Sequence, residues 1–201
     1  KFLLAFSFAA LIFCSTLRAQ TDVIATVQIT PPYSPYLSTY VDQPNKILLM
    51  LTNTTGSALR LKLWVQITGD NGVKVTTAAN FNPSEAIILN PYEAKPISFN
   101  TNETRDYFDV NHVDLVGLTK AQMIQNQALP EGNYTICVRA LDYYSPYTPR
   151  SMDGCATFPL YYIDPPVPVQ PACNSDVNLN NPQFVLFSWT PPATAPGNIQ
   201  Y

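Results

Sequence analysis

ALPEGNYTICVRALDYY, residues 128–144, is the stretch that decides the fold. Side chains on an extended chain alternate between two faces, so Tyr134, Ile136, Val138 and Ala140 share one face and Thr135, Cys137, Arg139 and Leu141 the other. The first set is suited to a core and the second is mixed, as a half-buried strand requires. CATFPLYYI, from Cys155, repeats the pattern with Phe158, Leu160 and Tyr162 on one face and Cys155 on the other. Cys137 and Cys155 therefore fall on the outer face of neighbouring strands, where a disulfide is expected. It would close a loop holding Tyr143, Tyr144, Pro146, Tyr147 and Pro149, a constraint of about 3 kcal/mol on loop-entropy grounds.

Leu129, Gly132 and Tyr134 also sit as in the tyrosine corner of immunoglobulin-like sandwiches, in which a Tyr at the start of a late strand turns its hydroxyl back onto the preceding corner. The chain upstream is consistent with such a fold. Val23 to Thr30 alternates in strand period, and PPYSP breaks it because proline cannot donate to a ladder. Lys46 to Leu51 and Leu59 to Ile67 read as two consecutive strands. In GDNG, residues 69–72, Asn-Gly points to a type I′ turn with Ile67 and Val73 flanking a hairpin. A calcium loop is the alternative there, without the spaced acidic run or closing Glu that such loops use. Ala86 to Leu89 and Lys95 to Phe99 are two further short strands. Thr119, with Gln122 three residues on, forms a capping box that opens a helix running to Gln127. Met123, Ile124, Leu118 and Leu115 are expected to cover one end of the sandwich.

The flanks set the address. KFLLAFSFAALIFCSTLRAQ, residues 1–20, has a basic start, a short apolar run and small residues ahead of a cut after Ala19, the layout of a secretory signal peptide. A lipoprotein reading would modify Cys14, but bulky Phe13 precedes it. Export permits disulfides. With Cys14 removed, Cys137, Cys155 and Cys173 remain, and Cys173 is expected to pair beyond Tyr201. DPPVPVQPAC is a proline-stiffened stretch. The expected layout is a sandwich over 21–163, a linker over 164–176 and the start of a second sandwich over 177–201. After the signal, no segment is long and apolar enough for a membrane helix.

Composition narrows the functions. The chain has 46% hydrophobic and 12% charged residues, 19 prolines and a net charge of -3. That supports a packed core and disfavours nucleic acid, since 11 basic residues are thinly spread. No catalytic residue, cofactor-binding motif or metal site is read: nucleophile elbows, phosphate loops and dinucleotide fingerprints are missing from the sequence. His112, in DVNHVD, is the sole histidine and reads as a solvated loop residue, because zinc sites draw on several His or Cys ligands. Asn53, Asn102 and Asn133 match glycosylation triplets, which occur often by chance in Asn/Thr-rich chains and carry little weight. The loop with Tyr143, Tyr144 and Tyr147 is the candidate ligand contact, offering rigid amphipathic rings to a sugar or a protein; edge protection is the plainer alternative.

FSWTPPATAPGNIQY, residues 187–201, resembles the opening of a fibronectin type III domain, with Trp189 and Tyr201 in the core places. LPEGNYTICVRALDY followed by CATF and DPPVPVQP resembles the N-terminal module of large exported Bacteroidota proteins known as TANFOR-domain proteins. That resemblance implies a secreted or cell-surface protein whose partners are the following domains of its own chain, and it delivers no activity. The expectation is a non-catalytic structural or adhesive module, with a carbohydrate-binding module using the Tyr-rich loop as the alternative.

Overall fold

Period-two alternation of apolar residues runs through most of the chain, and the backbone answers with strands. The computed structural model describes residues 21–126, 128–145, 147–162, 167–172, 174–176 and 184–191. In chain order the elements are β1 (Val23–Ile29), α1 (Leu37–Asp42), β2 (Ile47–Asn53), β3 (Leu59–Gly69), β4 (Lys74–Thr77), β5 (Ile87–Leu89) and β6 (Ala94–Ile97). There follow a 3₁₀ turn (Arg105–Phe108), β7 (Val113–Val116), α2 (Lys120–Asn126), β8 (Gly132–Asp142), β9 (Gly154–Leu160), β10 (Val167–Gln170) and β11 (Ser188–Thr190). The expected signal peptide, Cys14, Cys173, the chain from residue 192 onward and Pro146 lie outside the described residues.

The fold is an all-β sandwich of antiparallel sheets. One sheet has the order β1-β2-β6; the other runs β7-β4-β3-β8-β9, with β5 also paired to β3. Ile47, Leu49 and Leu51 from the first sheet and Leu61, Leu63, Val65, Ile67, Ile136, Val138, Phe158 and Leu160 from the second join one hydrophobic cluster. Full burial of each such side chain contributes about 1.5–3 kcal/mol of transfer free energy.

Along β3 the partner changes from β5, opposite Leu59 to Leu61, to β4, opposite Gln66 to Thr68. The backbone between would be left without acceptors on that side. Two side chains complete the ladder: Leu63 N–H donates to the Tyr107 hydroxyl (2.8 Å) and Val65 N–H to Thr77 Oγ1 (2.9 Å). Tyr107 is 1% exposed, and burial raises its hydroxyl above the ordinary tyrosine range.

The tyrosine corner forms as expected. Leu129 is fully buried, and the Tyr134 hydroxyl donates to Pro130 O at 2.8 Å. A Cβ at Gly132 would meet Asp70 Oδ1 at 2.7 Å and Asn71 Nδ2 at 2.9 Å, so those side chains, which tie the turn to the corner, would have to shift. The hairpin at residues 69–72 also forms, but not as a type I′ turn. Gly72 alone is left-handed, at φ 82°, in a loop closed by Gly69 N–H to Val73 O (2.8 Å). Asn71 is committed elsewhere: its amide donates to the Tyr134 hydroxyl (2.8 Å) and Glu131 O (2.8 Å), tying the turn to the corner.

The capping box at α2 is present, with Thr119 N–H donating to Gln122 Oε1 (2.9 Å) and Gln122 N–H to Thr119 Oγ1 (3.2 Å). Met123 is buried and Leu115 and Leu118 pack against the core, but Ile124 is 61% exposed and covers nothing. A second helix, α1, was not expected from sequence. It lacks a side-chain cap and is fixed instead by Tyr40, which is 3% exposed and donates its hydroxyl to Ser34 O at 2.8 Å. Burial pushes that hydroxyl's pKa up to about 12.

The proline-stiffened stretch is more than a spacer. Val167–Gln170 is strand β10, paired antiparallel with β11 in a separate two-stranded sheet. Proline is tolerated there because each strand has an open edge.

Candidate functional site

On β3 the residues that alternate with the core set are Lys62, Trp64 and Gln66, and pairing with β8 places Leu141, Arg139 and Cys137 beside them. These residues form the outer face of the larger sheet. Cys137 lies opposite Cys155 in register, and the two are disulfide-bonded with Cα atoms 4.1 Å apart. One row further along, the Arg139 guanidinium sits 5.0 Å from the Trp64 ring centroid and is gripped by Asp153 through bonds of 2.6 and 2.9 Å. A planar, delocalised cation suits both contacts, so Trp64 is held in one orientation.

The Tyr-rich loop grows from the same end of β8. Asp142 Oδ1 accepts the N–H groups of Tyr144 and Ser145, both at 2.9 Å, and Asp142 Oδ2 accepts Arg150 Nη2 at 2.7 Å. Arg150 Nη1 reaches Asp22 at 2.7 Å, joining the start of the sandwich to the loop. The hydrogen bond from Arg150 holds the Asp142 carboxyl below the usual carboxylate range.

The three expected contact tyrosines differ in exposure and contacts. Tyr143 is half-buried and donates its hydroxyl to Pro83 O at 2.9 Å, so it braces the loop. Tyr144, whose ring stands edge-on to Tyr143 at 5.4 Å, is 73% exposed and Tyr147 is 86% exposed. Tyr147 forms part of the rim of a cavity of about 280 Å³ on the outer face, lined also by Lys62, Trp64, Thr76, Asp114 and Leu141. Sequence reasoning did not pick out Trp64 or Lys62. The signal available was an indole and an amine on the solvent parity of an otherwise regular strand.

Lys62 is the anomaly of this face. It is only 6% exposed, and its ammonium donates to Phe81 O (3.1 Å) and Asn82 Oδ1 (3.3 Å). None of the ion pairs among the described residues includes it. Burial without a counter-charge lowers its pKa.

His112 lies in a loop as expected, but its ring is half-buried and stacks on Phe81 with centroids 4.5 Å apart. Among the described residues no group of three or more His, Cys, Asp and Glu is placed to hold a metal ion. Of the glycosylation triplets, Asn53 is 1% exposed and its amide donates to Ser57 O and Asn90 O, both at 2.8 Å. No helix among the described residues is long and apolar enough to cross a membrane. No family model matches the chain, and no curated protein matches it.

Proposed function

We propose that the chain is a non-catalytic structural and adhesive module of a larger exported protein, one link in a series of β-sandwich domains. The observation that carries this reading is the relation of β1 to β9. Val23 forms a parallel bridge with Ser151, and Gly154 packs directly on the backbone of Ala25. The two strands run in the same direction, so the chain comes in beside the start of β9 and leaves the sandwich from its other end. That arrangement lets domains strung along one chain follow one another without folding back. The disulfide agrees with an oxidising location. So does the sequence resemblance to N-terminal modules of large exported bacterial proteins. Fusing residues 1–20 to a phosphatase that is active only outside the cytoplasm tests export: activity is expected, and a cytoplasmic, inactive fusion would overturn the extracellular reading.

A second reading, a carbohydrate-binding module, is favoured by the cavity with Tyr147 at its rim and Trp64 in its wall. Glycan-array binding lost in Tyr147→Ala would support it. No binding to any glycan would leave the structural reading alone.

A further inference from the structure

We propose that the cavity beside Trp64 takes a single ring of an acidic sugar, its carboxylate received by the Lys62 ammonium and its face laid on Tyr147. This rests on the carbohydrate-binding reading and names the ligand class for it. Size comes first: about 280 Å³ lies at the small end of ligand sites, which begin at roughly 300 Å³, and so favours one ring over an extended oligosaccharide.

Charge comes next. An ammonium has three N–H donors. Two are given to Phe81 O and Asn82 Oδ1, and Lys62 lines the cavity. A largely buried cation bonded to neutral carbonyls is under-compensated in charge, and an entering carboxylate would supply the counter-charge. A neutral sugar would leave that deficit in place.

Leu63, Ala78, Ala79 and Phe81 make much of the remaining wall apolar, suited to the C–H face of a sugar ring, and aromatic and polar groups complete it. Tyr147, 86% exposed, offers a free aromatic face. Trp64 is clamped by Arg139, which is itself fixed by Asp153, so the indole wall is organised before any ligand arrives. Thr76 and Asp114 oppose each other on β4 and β7 and add hydroxyl and carboxylate acceptors for ring hydroxyls. Asp114 also disfavours a second negative group on that side, which orients the ligand with its carboxylate toward Lys62.

The test uses the full chain and matched pairs of methyl glycosides: glucuronide against glucoside, and galacturonide against galactoside. Amide resonances of Lys62, Trp64, Thr76 and Leu141 report binding. At least one uronide is expected to shift them saturably, about tenfold tighter than its neutral partner, the worth of one charge-assisted bond. Lys62→Met should bring that ratio to about one, and Tyr147→Ala should weaken both members about fivefold. Tyr144→Ala, outside the cavity lining, should change neither. Equal affinity within each pair would overturn the acidic-sugar assignment while leaving a sugar site. Shifts by acetate or by a peptide C-terminus as tight as the uronide would overturn the sugar and leave a carboxylate site. No shift from any glycoside at tens of millimolar would overturn this proposal and the carbohydrate-binding reading together.

Discussion

At the scale of single residues, the structure depends on polar side chains that finish what the sheets leave undone. Tyr107 does so for Leu63, and Tyr134 links Asn71 to Pro130. Tyr107→Phe should cost about 1–3 kcal/mol in urea unfolding, because it strands a buried N–H rather than removing a solvated bond. Lys62 has the opposite sign. Lys62→Met keeps the aliphatic stem and removes an under-compensated cation, so unchanged or slightly raised stability is expected, and a loss above about 1 kcal/mol would contradict that. Asp142 sets an acid limit. Its folded pKa is depressed by Arg150, so its contribution is complete above the unfolded carboxylate range and disappears as pH falls through the folded value. Stability measured across that acid range should fall less steeply in Asp142→Asn than in the parent. Such residues were hard to see in sequence. Tyr107 and Asn71 act on strands 44 and 63 positions away along the chain, and local pattern carries no trace of such partners.

At the scale of elements, the strands with clean alternation were legible, and so were the capping box, the corner and the disulfide, because period and spacing express burial directly. β4 was legible only as the second arm of the hairpin after residues 69–72, and β7 and α1 were not read at all: β7 is a four-residue strand, and α1 forms because Tyr40 packs and bonds rather than through any capping signal. The Tyr-rich loop was legible as a feature but not as a geometry, since only tertiary contact decides that Tyr143 braces and Tyr147 projects. The contact between β1 and β9 yields a sharp expectation. A Cβ at Gly154 would collide with the backbone of Ala25, so Gly154→Ala should destabilise by about 1–3 kcal/mol as an overpacked site. Amide exchange should speed in β1 while β3 and β8 stay protected; uniform loss of protection would mean that β1 is no separable element.

At the scale of the whole molecule, the sandwich receives the chain at one end, releases it at the other, and is stapled across β8 and β9. The Arg150 contacts to Asp22 and Asp142 fasten the incoming segment to the same region as the staple. A domain of this kind should yield to tension as a unit. Stretching the chain from its two ends by single-molecule force spectroscopy addresses this most directly. One cooperative unfolding step is expected for the sandwich. Because the disulfide spans a sequence separation of 18 with Cα atoms 4.1 Å apart, reducing it should lengthen that step by about 60 Å at ~3.6 Å per residue. Gradual extension without a step, or a step whose length reductant leaves unchanged, would contradict the claim.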